Sequence, residues 1–259
     1  MRKFVKILMW LGITFYMVIV LGMIEKRVDQ TPCQKVFVEI NDSAENHFVS
    51  EQEIYSKILT HDKDLFGKPL NAIRTDEVEK FVANDPFVKN VQAYKTMNGQ
   101  LNIRVDQREP IARVLNYKGQ GYYIDKLGFI MPVSPYFTAR VLIINGWNLT
   151  GINPGVNLTE VQSGKVKNTL KEIYQLALFI NNDPFWKAQI EQIYVSKDSE
   201  FTFIPRVGSH TIIFGELSNY ERKFKKLYAL YEQGLSREGW NKYSTINLKF
   251  NNQVVCTKK

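Results

Sequence analysis

The sequence predicts an α+β protein in three parts. These are one N-terminal transmembrane helix, a small α+β domain, and a β-rich domain with an antiparallel sheet and two helices. Three observations predict it. An uncharged apolar run opens the chain, the next segment mixes strand and helix periodicities, and after Arg108 short β-branched and aromatic runs alternate with Gly, Asn and Pro. The boundaries expected are a short cytoplasmic tail at 1–6, a transmembrane helix at 7–24, the first domain at 35–107 and the β domain at 108–259, which closes on an edge strand.

With 259 residues, 44% of them hydrophobic and 23% charged, the chain can bury a core in one large domain or two modest ones. Its net charge of +8 admits nucleic acid, anionic lipid or an acidic polymer as partner. The first segment narrows that choice. "ILMWLGITFYMVIVLGMI" (Ile7 to Ile24) is uncharged and rises about 27 Å as a helix, close to the hydrocarbon thickness of a bilayer, and Lys6 can snorkel to the headgroups. The run is longer than that of a cleaved signal peptide, and "LGMIEKR" offers no small-x-small cleavage site, so a retained single-pass anchor is expected. Arg2, Lys3 and Lys6 before it, against Lys26 and Arg27 after it, give a weak bias to a cytoplasmic N-terminus. The bulk of the chain is then extracytoplasmic, where no nucleic acid is expected and anionic lipid or an acidic partner suits the excess charge better. Cys33 and Cys256 stand far apart and are expected as unpaired thiols.

After the anchor, "VFVEI" (Val36 to Ile40) reads as a strand. The polar loop behind it holds Asp42-Ser43-Ala44, which matches a short bacterial O-glycosylation motif and, more plainly, an exposed loop. Ser50 and Glu53 stand at capping-box spacing before a helix with Ile54, Ile58 and Leu59 on its apolar stripe. A second helix starts near Thr75 or Asp76, with Val78, Phe81 and Val82 inward, and stops at "NDPF". Two alternating runs flank Met97-Asn98-Gly99, a hairpin signal because Asn and Gly tolerate positive φ. Strand, helix, helix, strand, strand over 35–107 is also the element order of the polypeptide-transport-associated (POTRA) domain, which this segment resembles.

Beyond "QREPIARV" come strands at "IARVLNY", "GYYIDKLGFIMP" (with a turn at Asp125 to Gly128) and "ARVLIING". An Asn/Gly/Pro-rich surface loop follows, from Gly146 to Gly164. A helix at 165–181 carries Leu170, Ile173, Ala177 and Ile180 on one face, and a three-strand meander ends at "HTIIFG". Ser218 and Glu221 repeat the capping-box spacing before a helix with Tyr220, Phe224, Leu227, Tyr228 and Tyr231 on one face, ended by Gly234 and Gly239. Its Arg222, Lys223, Lys225 and Lys226 read as a solvated polar face or, more sharply, as a basic contact patch for an acidic partner or lipid. The chain closes on "INLKFNNQVVC", whose last strand is expected at a sheet edge. A two-residue turn at Asn251-Asn252 would set Phe250 opposite Gln253 and Leu248 opposite Val255.

No catalytic, cofactor-binding or metal-binding set is read. His47, His61 and His210 lack ligand-spaced neighbours, and no zincin, P-loop or nucleophile-elbow motif occurs. Ser209 and His210 are adjacent in a strand and point to opposite faces, which disfavours a shared proton.

Taken together, "IRVDQREPIARV" (Ile103 to Val114), "YYIDKLGFIMP" (Tyr122 to Pro132), "FKKLYAL" and "YSTINLKFNNQVV", behind a single anchor, resemble the bacterial cell-division family FtsQ/DivIB over nearly the whole chain. The resemblance implies a non-enzymatic scaffold of the divisome in the inner (plasma) membrane at the septum, with no cofactor. It implies FtsB-like and FtsL-like partners, other divisome proteins recruited through the POTRA-like domain, and an edge that takes FtsB by strand addition. The residues it points to are Leu248, Lys249, Phe250, Asn252, Gln253, Val254, Val255 and Cys256. Relatives that carry a late aromatic in this strand differ from this chain, which has Cys256 there. The alternative is a POTRA-bearing periplasmic chaperone or outer-membrane assembly factor. An anchored cell-wall enzyme would need the catalytic set that the sequence lacks.

Overall fold

A computed structural model describes residues 9–20, 31–41, 46–116, 119–147, 149, 153–161 and 164–259. The chain divides into two compact units, Met1–Gln107 and Arg108–Lys259. Residues 9–20 form a helix, α1. Among the described residues no helix is long and apolar enough to cross a membrane. The rest of the expected span, 7–8 and 21–24, lies outside the described residues, as do the tail at 1–6 and Asp42-Ser43-Ala44.

The first unit continues with β1 (Lys35–Asn41), α2 (Glu51–His61), α3 (Thr75–Ala83), β2 (Val88–Thr96) and β3 (Gln100–Gln107), the order the sequence predicts. β3 lies at the centre, parallel to β1 and antiparallel to β2. Its period-two pattern buries Leu101, Ile103 and Val105 in one core with Val38 and Ile40 of β1, Ile54 and Ile58 of α2, and Val78 and Val82 of α3. Ser50 caps α2 by accepting the Glu53 N–H at 3.2 Å. Glu53 does not return the bond of a capping box; its carboxylate pairs one turn on with Lys57 at 2.7 Å. In the β2–β3 turn Gly99 takes the positive φ (79°) while Asn98 does not.

The second unit is built on a nine-stranded sheet. Its strands are β4 (Pro110–Asn116), β5 (Gly121–Asp125), β6 (Ile130–Pro132), β7 (Leu142–Gly146), β8 (Ile190–Val195), β9 (Phe201–Pro205), β10 (Thr211–Gly215), β11 (Tyr243–Asn247) and β12 (Val255–Lys258). They lie in the order β12-β11-β10-β9-β8-β7-β4-β5-β6. The sheet is mixed, not antiparallel as expected: β4–β7, β7–β8 and β10–β11 run parallel. Helical crossovers force two of these joints, because a chain that leaves a strand through a helix can return in the same direction. α4 (Lys165–Asn182) and α5 (Pro184–Gln189) join β7 to β8. α6 (Tyr220–Ala229), a π-helical turn (Leu230–Leu235) and α7 (Ser236–Glu238) join β10 to β11. The two helices expected are α4 and α6; α5 and α7 are short additions.

Leu170, Ile173, Ala177 and Ile180 of α4 pack with Phe224 and Leu227 of α6 and with the sheet side chains Ile193, Phe203, Phe214 and Ile246 in one core. Two helix limits differ from expectation. Asn219, in left-handed conformation (φ 54°), precedes α6 and no side chain caps it, so the Ser218–Glu221 box does not form. Gly234 does not stop the helix, which runs on through the π-helical turn, where Tyr231 and Leu235 stay buried, to Gly239 at φ 98°.

The two motif stretches at the start of this unit lock together. Arg108 of "QREP" donates to the Asp125 carboxylate of "YID" at 2.9 Å, with 14% and 2% of the two side chains exposed, and its guanidinium lies 4.0 Å from the Phe129 ring centroid. The other Asp125 oxygen accepts the N–H groups of Leu127 and Phe129, which tightens the β5–β6 turn.

Candidate partner-binding edge

A sheet that does not close has two edges, and each must be covered or left available. The β6 edge is covered. Gly155 N–H donates to the Ile130 carbonyl at 2.8 Å, Ile130 N–H to the Val156 carbonyl at 2.9 Å, and Leu158 N–H to the Gly128 carbonyl at 2.9 Å. The stretch expected as a plain surface loop is therefore a backbone cover. At the other end, among the described residues, no strand pairs with the outer side of β12.

β12 runs antiparallel to β11, with Asn247 opposite Val255, Ile246 opposite Cys256 and Thr245 opposite Thr257. This is one residue away from the expected register, and the two-residue turn at Asn251-Asn252 is absent. The reason lies at Leu248. Its N–H stays on β10, donating to the Ile213 carbonyl at 2.9 Å, and its side chain is fully buried. Asn247 Oδ1 then accepts the Lys249 N–H at 3.0 Å, a side-chain turn that takes the chain off the sheet edge. Residues 248–254 form a link held from α6 and from Glu200, the residue before β9. Lys226 Nζ donates to the Phe250 carbonyl at 2.6 Å, Arg222 Nη2 to Asn252 Oδ1 at 3.0 Å, and Lys249 pairs with Glu200.

Of the predicted partner residues, Leu248 presents no side chain to a partner, and Lys249 is tied to Glu200. Phe250 stands 46% exposed, and Asn252 and Gln253 are exposed beside it. Val254 and Cys256 lean on the core, and burial pushes the Cys256 thiol pKa up; Val255 and Thr257 face out. Lys259 N–H donates to the Lys242 carbonyl, so by strand alternation the main-chain groups of Val255 and Thr257 face β11 while those of Cys256 and Lys258 face outward. A partner strand there would meet free donors and acceptors, with Val255 and Thr257 lining one side.

The four cations of the predicted basic patch are not held alike. Besides Arg222 and Lys226, Lys223 Nζ is turned inward, donating to the carbonyls of Phe214 (3.1 Å) and Glu216 (2.6 Å). Burial depresses the pKa of both Lys223 and Lys226. Lys225 alone of the four is simply exposed among these partners. Sequence reasoning missed Asn247, Glu200 and Ile213 as the residues that set the turn. Only Asn247 carried a readable signal, an Asn at a strand end whose side chain competes for the next N–H groups.

Elsewhere, Ser209 Oγ donates to Asn241 Oδ1 while the buried His210 ring shares a 3.0 Å hydrogen bond with Tyr231, so the two do not form a dyad. Among the described residues no cluster of His, Cys, Asp or Glu could hold a metal ion. A groove of about 700 Å³ beside α2 is lined by Lys57, His61 and Phe81, with His61 stacked on Phe81 and Lys57 paired with Glu53 and Asp85.

Residues 109–257 match the family described as FtsQ/DivIB, C-terminal related, and residues 31–106 match the POTRA-like domain. The chain is 25% identical over 182 residues to the cell division protein FtsQ of Rhodothermus marinus, a match that covers 69% of this chain and 63% of that relative's own length.

Proposed function

Because the chain belongs to the FtsQ/DivIB family, we propose that it is a non-enzymatic, bitopic membrane scaffold of the cell-division complex. The anchor holds it in the inner membrane at the septum, the POTRA-like unit meets other division proteins, and β12 takes a strand of an FtsB-like partner, itself joined to an FtsL-like one. The observation that carries this reading is the asymmetry of the sheet: β6 is covered by residues 155–158, whereas among the described residues no strand pairs with the outer side of β12. Strand addition there would supply main-chain bonds for affinity, with Phe250 and Val255 as exposed apolar contacts for selectivity.

The test is capture of the FtsB-like partner by the purified chain. Deleting Gln253 to Lys259, or placing proline at Cys256, removes capture; proline deletes an outward donor and leaves the Val255 and Thr257 bonds to β11 in place. Undiminished capture by both variants would reject the edge. Depletion in cells separates this scaffold from an outer-membrane assembly factor: filamentation follows from the first, loss of outer-membrane proteins from the second.

A further inference from the structure

We propose that Arg222 and Lys226 are positioning residues that hold the docking edge in shape, and that they do not themselves bind the partner. This rests on the reading of β12 as the docking edge. The two side chains stand four residues apart and so share one face of α6. Both reach across to the 248–254 link: Arg222 to Asn252 Oδ1 at 3.0 Å, and Lys226 to the carbonyls of Phe250 at 2.6 Å and Asn251 at 3.5 Å.

The acceptors are what give the arrangement its meaning. A cation that waits for an acidic partner is expected to point to solvent, whereas these are spent on neutral oxygens of their own chain. An ionised donor on a carbonyl makes a stronger bond than a neutral one does. β12 is only Val255–Lys258, an edge strand paired on one side, and a strand so short depends on its connection for its orientation. Below the link, Asn247 and Leu248 fix where it leaves the sheet; above it, the two cations fix the span from Phe250 to Asn252. The edge is thus pre-organised, which lowers the ordering cost of binding. Lys225, with the same charge on the same helix, has no place in this clamp and serves as its internal control.

Amide hydrogen exchange of the partner-free chain, alongside affinity for the FtsB-like partner, tests the proposal. The variants are Arg222→Gln, Lys226→Met, Asn252→Leu and Lys225→Glu. In the first three, the amides of Val255, Thr257 and Lys259, which face β11, are expected to exchange about 5- to 10-fold faster, the size of one lost hydrogen bond, and affinity to fall by a similar factor. Asn252→Leu changes no charge, and the double variant Arg222→Gln/Asn252→Leu is expected to be no worse than either single one. Lys225→Glu is expected to change neither readout. Unchanged exchange in Arg222→Gln and Lys226→Met overturns the clamp. Faster exchange with unchanged affinity overturns the docking reading and leaves the clamp standing. Loss of affinity in Lys225→Glu equal to that in Arg222→Gln overturns the positioning role in favour of direct charge attraction.

Discussion

Asp125 is almost fully buried, and three hydrogen bonds converge on its carboxylate: Arg108 on one oxygen, and the N–H groups of Leu127 and Phe129 on the other. Removing one member of a buried pair leaves the other charge uncompensated. Asp125→Ala is therefore expected to cost about 3–5 kcal/mol in urea unfolding of the second unit, and Arg108→Met a comparable amount. His210 makes the stability of the second unit depend on pH. Its ring is buried against Tyr231, and burial holds its pKa below the usual 6.5 despite the Trp240 backbone nearby. The unfolded chain takes up a proton near pH 6.5 that the fold resists. Stability is therefore full above that pH and falls as the pH drops through it. A pH series of denaturant midpoints should show this fall, and His210→Gln should flatten it. At this scale the sequence displayed the right residues without their partners: "QREP" and "YID" stood out as separate marks, and only the fold shows that Arg108 and Asp125 are one device.

Among the elements, the strands and helices of the first unit were legible because their two periodicities are clean: Leu101, Ile103 and Val105 alternate, and Val78 and Val82 lie one helical turn apart. The last hairpin was legible only in outline. "INLKF" has strand composition throughout, yet the strand ends at Asn247, since that side chain takes the Lys249 N–H and the core takes Leu248. A local pattern cannot register such tertiary competition. The same holds for the β6 edge, where residues 155–158 look like loop and act as a cover. Asn247→Ala removes the turn acceptor. It is expected to raise exchange across 248–254 and weaken partner capture by about 5-fold, the worth of about one hydrogen bond. An unchanged exchange pattern would show that the turn does not depend on that side chain.

At the level of the whole molecule, each unit has its own core, the first around Ile54, Leu101 and Ile103, the second around Ile193, Phe203 and Phe224. Residues 108–259 produced alone are therefore expected to unfold cooperatively and to capture the FtsB-like partner with affinity within about 3-fold of the longer chain, whereas residues 31–107 alone are expected to fold and capture none. The net charge of +8 was readable from the start, but its placement was not: three of the four cations on the first turns of α6 serve the fold itself. Whether β12 receives a partner strand is read from amide exchange of residues 253–259 with and without the FtsB-like partner. The outward amides of Cys256 and Lys258, fast in the free chain, are expected to become protected in the complex; a complex that forms while both remain fast would rule out strand addition at β12.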